Sequence, residues 1–127
     1  MSDTPKNIFA WHDLTVANAD KVSDFYCEVA GWTKEGMSMG DYDDYVMKDS
    51  NGNVVAGICH AKGGNTGLPP VWLSYVMVNN LEDSLHKCVA NGGKIHGAKR
   101  KMGPSGEYCL IEDPAGAFMM LASGKFE

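Results

Sequence analysis

A chain of 127 residues with 44% hydrophobic content can bury one compact core and is too short for two independent enzymatic domains. Its formal charge of −5, with basic residues scattered apart from Lys99-Arg100-Lys101, argues against a nucleic-acid partner. No apolar run of about eighteen residues occurs and the Met1–Asn7 start is polar, so neither a membrane span nor a secretory signal is expected, and a cytoplasmic location is.

In chain order, Ile8 to Val16 alternates as a strand, with Trp11, Asp13 and Thr15 on one face and His12, Leu14 and Val16 on the other. Asn18 or Asp20 can cap a helix over Asp20–Ala30, whose apolar set Val22, Phe25, Tyr26, Val29 and Ala30 has helical spacing; Gly31 can end it. Trp32 begins the next strand. Two more strands are expected near Asp44–Lys48 and Asn53–His60, reversed by the Asp49–Gly52 turn. The glycine- and proline-rich stretch from Ala61 to Pro70 reads as a plain connecting loop, since no Gly-Lys-Ser/Thr follows its glycines.

The order then restarts with strand Val71–Val78, helix Leu81–Asn91 and a Gly92-Gly93 stop. Strands near Lys94–His96, Glu107–Glu112 and Ala117–Ala122 complete it. Asp49-Ser-Asn-Gly and Asp113-Pro-Ala-Gly, 64 residues apart, each precede an apolar strand, and Val16 and Val78 repeat at 62. One β-α-β-β-β module is therefore used twice, over about 7–61 and 71–123, within a single domain spanning 1–127. Cys27, Cys59, Cys88 and Cys109 form no C-x-x-C pair and have no zinc spacing, so reduced thiols are expected.

Three segments together resemble the vicinal oxygen chelate superfamily, which groups glyoxalase I, extradiol dioxygenases and bleomycin resistance proteins: Trp11-His-Asp-Leu-Thr-Val16, Asp24-Phe-Tyr26 leading to Gly31-Trp32, and Glu112-Asp-Pro-Ala-Gly116. The resemblance covers nearly the whole chain and implies an α+β fold of two tandem β-α-β-β-β modules with curved mixed sheets enclosing a cavity, commonly in a homodimer. In metal-using members each module supplies one ligand from its first strand and one from its last. Those positions fall here on Trp11, Ala56, Leu73 and Met120, none of which suits a hard divalent ion. A slip of one residue would substitute His12 and Ser74 and still leave no carboxylate on either last strand.

The expected lining is Trp11, Asp13, Thr15, Ala56, Ile58, Leu73, Tyr75, Phe118 and Met120, which suits a flat apolar or aromatic molecule and calls for no cofactor. Asp13, a carboxylate among large apolar side chains, is a candidate general base; the plainer reading pairs it with a backbone amide, a threonine or solvent. His12 is expected in the core, His86 and His96 at the surface, and Trp72 against a helix or another subunit. Metal-free binding of a small molecule by a homodimer is the first reading. The alternatives are a metal-dependent lyase, isomerase or dioxygenase, a metal-free enzyme using Asp13, and a dimeric interaction module.

Overall fold

The computed structural model describes residues 5–124, so the first four residues of the Met1–Asn7 stretch lie outside it. Two compact units follow the expected modules closely: Trp11–Trp72 forms the first, and residues up to Ala10 join those from Leu73 onward in the second.

In the first module the strands are β1 (Phe9–Val16), β2 (Thr33–Ser38), β3 (Asp43–Lys48) and β4 (Val54–His60), with α1 (Ala19–Ala30) between β1 and β2. Their order is β2-β3-β4-β1; β1 runs parallel to β4 and the other pairs are antiparallel. The second module has β5 (Leu73–Met77), α2 (Leu81–Ala90), β6 (Lys94–Met102), β7 (Gly106–Glu112) and β8 (Phe118–Ser123). Its order, β5-β8-β7-β6 with β5 parallel to β8, repeats that topology. The class is α+β with mixed sheets. Residues at the start of the chain group with the second module because the Asn7 amide donates to the Met77 carbonyl at 2.6 Å and the Met77 amide to the Ile8 carbonyl at 3.1 Å.

The repeat is exact at its turns and caps. Asp49 Oδ1 accepts from the amides of Asn51 and Asn53, both at 2.9 Å, and Asp113 Oδ1 accepts from Ala115 at 2.8 Å and Ala117 at 3.1 Å. Gly52 (φ 82°) and Gly116 (φ 91°) stand at the same place in the two turns, in the left-handed region that excludes most side chains. Asn18 and Asn80 cap the two helices by accepting from the amides of Lys21 and Asp83.

Two expectations change. The face of α1 turned to its sheet carries Ala19, Val22, Ser23, Tyr26 and Cys27, while Phe25 and Val29 are 54% and 66% exposed. Small side chains at 19 and 23 let the helix approach closely. Ser23 is satisfied there, its hydroxyl donating to the Asp20 carbonyl at 3.0 Å and accepting from Lys34 Nζ at 2.9 Å. β6 runs to Met102 rather than stopping at His96, because Gly97 (φ 77°) absorbs a register irregularity between His96 and Arg100 and pairing resumes beyond it. The connecting loop also contains one turn of 3-10 helix at Gly63–Asn65.

Trp72 packs on the first helix, as one of its two expected roles required. Its indole donates to the Tyr26 hydroxyl at 3.2 Å, and the rings of Tyr26, Trp32 and Trp72 lie mutually within 5.9 Å.

Candidate functional site

In each module one face of the sheet packs on its helix and the other does not, so strand alternation decides which side chains are available for a ligand. In the first module, Leu14 is paired with Ile58 and Asp13 with Gly57. Leu14, Ala56, Ile58 and Met47 join Ala19 of α1 in one buried cluster. Trp11, Asp13, Thr15, Gly57 and Cys59 therefore share the face away from α1.

This corrects the placement expected for Ala56 and Ile58, which are 2% and 0% exposed under α1 and do not share a face with Trp11 and Asp13. The cause is a β-bulge. Pairing of β3 with β4 steps from Met47–Ala56 to Lys48–Val54, leaving Val55 as an extra residue, so counting from the Asp49 turn is displaced by one. Gly57 stands where Ala56 was expected.

On that face the Trp11 indole donates to Asp13 Oδ1 at 2.7 Å, a partner not among those anticipated for this carboxylate. Gly57 makes the arrangement possible, since a Cβ there would lie 2.3 Å from Asp13 Oδ1 and 3.4 Å from Trp11 Cζ2. Cys59 lies on the same face. Burial pushes its thiol far above the usual range, and the carboxylates of Asp13 and Asp44 push it further. At neutral pH it is a protonated hydrogen-bond donor and no nucleophile.

In the second module Leu73, Tyr75, Phe118 and Met120 share the face away from α2, because Cys109, Ile111 and Leu121 occupy the α2 side and Tyr75 is paired with Met120. Leu73, Tyr75 and Met120 are buried on that face and Phe118 is half-buried. Tyr108 adds a ring 5.5 Å from that of Tyr75. Beside Phe118 lies a group the sequence did not reveal: His96 Nε2 is 2.8 Å from Glu112 Oε1, and its ring is 5.2 Å from that of Phe118. His96 was expected at the surface and is half-buried. Only the register of β6 on β7, where His96 faces Leu110 two residues from Glu112, brings the pair together.

The other histidines also moved from expectation or gained definition. His12 is exposed rather than in the core. His60 is buried, with Nδ1 2.8 Å from the Asp43 carbonyl and Nε2 3.9 Å from Asp20 Oδ1. The Tyr45 hydroxyl donates to the same Asp20 carboxylate, which with burial holds that phenol up at about 12. His86 is exposed beside Glu82, as expected.

A metal does not fit the transferred positions. Trp11 has committed its only polar hydrogen to Asp13, Ala56 is turned into the core under α1, and Leu73 and Met120 offer no hard donor. Gly57, which the bulge brings to the place of Ala56, has no side chain. Among the described residues no three His, Cys, Asp or Glu side chains are grouped to hold a metal ion. Nor, among those residues, is any helix long and apolar enough to cross a membrane.

Comparison with known proteins matches residues 8–121 to the family described as Glyoxalase/Bleomycin resistance protein/Dioxygenase superfamily. CFP32 of Mycobacterium tuberculosis (strain CDC 1551 / Oshkosh) is 30% identical over 109 residues, covering 84% of this chain and 42% of that protein. The anthracycline biosynthesis protein DnrV of Streptomyces peucetius is 25% identical over 120 residues, covering 85% and 44%. The chain thus spans less than half the length of these curated relatives. The crystal structure of a superfamily member from Vibrio splendidus 12B01 superposes with a TM-score of 0.58 at 9% identity, covering 90% of this chain and 97% of that one, which is a likeness of fold.

Proposed function

This chain belongs to the Glyoxalase/Bleomycin resistance protein/Dioxygenase superfamily, and from that premise we propose that it binds a small apolar or aromatic molecule without a metal. The observation that carries the reading is that the four family ligand positions are held by Trp11, Leu73, Met120 and, once the bulge is counted, Gly57 in place of Ala56, set beside aromatic side chains on the helix-distal faces of both modules. Large rings with few polar groups favour flat apolar ligands through burial and stacking.

Half-buried side chains are the ones a ligand can reach. In the second module these include Tyr108, Phe118, His96 and Glu112, and in the first they include Trp11, Asp13 and Cys59. Leu73, Tyr75 and Met120 back the surface as packed core. The protein acts, on this reading, as a cytoplasmic homodimer, in keeping with the habit of the fold it shares. Asp13 orients through its bond from Trp11 and performs no proton transfer, so Asp13→Asn retains binding.

The test is ligand-observed nuclear magnetic resonance with chelator-treated protein and a panel of fused-ring aromatic compounds matched against sugars and amino acids. Saturation transfer to the aromatic members alone supports the reading. Binding or turnover that appears only after a divalent metal is restored overturns it.

A further inference from the structure

We propose that His96, held by Glu112 and flanked by Phe118, is the anchor that reads a hydroxyl on a flat aromatic ligand. The proposal rests on the aromatic-binding reading above and names the ligand class as phenols and enols of fused or single rings.

A carboxylate only accepts hydrogen bonds, so the 2.8 Å contact from His96 Nε2 to Glu112 Oε1 places the ring hydrogen on Nε2. In the neutral imidazole that leaves Nδ1 as an acceptor, the arrangement by which a carboxylate fixes a histidine tautomer. Among the described residues Nδ1 has no protein partner. The imidazole is 39% exposed and Glu112 22%, so the ring is open on one side while the carboxylate is sheltered.

The surroundings select what reaches Nδ1. Phe118 meets the imidazole at an interplanar angle of 59°, forming a corner of two rings. Leu110 is the register partner of both His96 and Met120, and both apolar residues are buried behind the corner. Lys94, register partner of Glu112, is the charged neighbour on β6 and is exposed; α2 packs on the opposite face. A ligand here finds aromatic surface and one acceptor nitrogen. A hydroxyl satisfies that nitrogen, whereas the methyl ether of the same molecule leaves it unmatched.

The experiment titrates 2-naphthol and 2-methoxynaphthalene into the full chain and into His96→Phe and Phe118→Ala variants whose circular dichroism matches the parent. The parent should prefer the naphthol by about ten-fold. His96→Phe should erase that preference while holding the ether within about two-fold, and Phe118→Ala should weaken both probes together. In the parent, the ring-nitrogen spectrum gives an independent reading that needs no variant: naphthol should shift His96 Nδ1 and the ether should not. Equal affinities in the parent, or a preference that survives His96→Phe, would overturn the anchor and leave aromatic binding standing. If neither probe binds at millimolar concentration, the binding reading fails and the anchor fails with it.

Discussion

Replacing Gly57 with alanine should destabilise the protein by about 2 kcal/mol, and almost all of that cost should pass through Asp13. The new Cβ would sit 2.3 Å from Asp13 Oδ1, roughly 1 Å inside ordinary contact, whereas Trp11 Cζ2 at 3.4 Å needs only a few tenths of an ångström of relief. Gly57 does not occupy the left-handed region, so alanine meets no backbone strain there. The carboxylate must therefore swing away and give up its 2.7 Å bond from the Trp11 indole, a hydrogen bond to a charged group worth about 1.5–3 kcal/mol. For a chain of this size, 2 kcal/mol is roughly 8 °C in Tm. Urea unfolding of Gly57→Ala, Asp13→Ala and the double variant supplies a cycle. With Asp13 already removed, Gly57→Ala should cost less than about 0.5 kcal/mol, giving a coupling of about 1.5 kcal/mol. Equal costs in the two backgrounds would show that the new Cβ does not collide with Asp13.

Ala56→Glu tests the face assigned to Ala56: beneath α1 an unpaired carboxylate should cost more than about 3 kcal/mol in urea unfolding, and an unchanged midpoint would return Ala56 to the ligand face. Trp72→Ala removes the indole from the Tyr26–Trp32 cluster and should cost about 3 kcal/mol by the same assay. Cys59 should resist iodoacetamide in the folded protein at pH 9, since its raised thiol pKa keeps the neutral form there, and peptide mapping that finds Cys59 labelled as fast as in the urea-unfolded chain would contradict this. The Tyr45 phenol should ionise only near pH 12 by ultraviolet titration, and Asp20→Asn should bring it down, because the shift arises first from the bond to Asp20.

The order of elements was legible because local chemistry specifies each one. Asparagine caps, the αL glycine at Gly31 and the two Asp-x-x-Gly turns are satisfied by neighbours a few residues away. The α+β class and the duplicated module follow from that order. Faces were harder. Alternation shows that Trp11 and Asp13 lie together, yet the side of β4 they share depends on register, and the bulge at Val55 shifts it by one residue. Where β7 pairs with β8 without irregularity, the same count from the turn places Met120 on the helix-distal face as expected. In α1, apolarity pointed to Phe25 and Val29, whereas close packing selected Ala19 and Ser23. His96 and Glu112 are 16 residues apart and meet only across a strand pair, so no local pattern announces them.

Metal-free binding of an aromatic molecule is tested most simply by native mass spectrometry of the protein as purified, followed by titration with 2-naphthol. The expected species is a dimer whose mass contains no stoichiometric transition metal and which takes up the aromatic probe in that state. One equivalent of a transition metal per chain, lost together with probe binding on chelation, would contradict it.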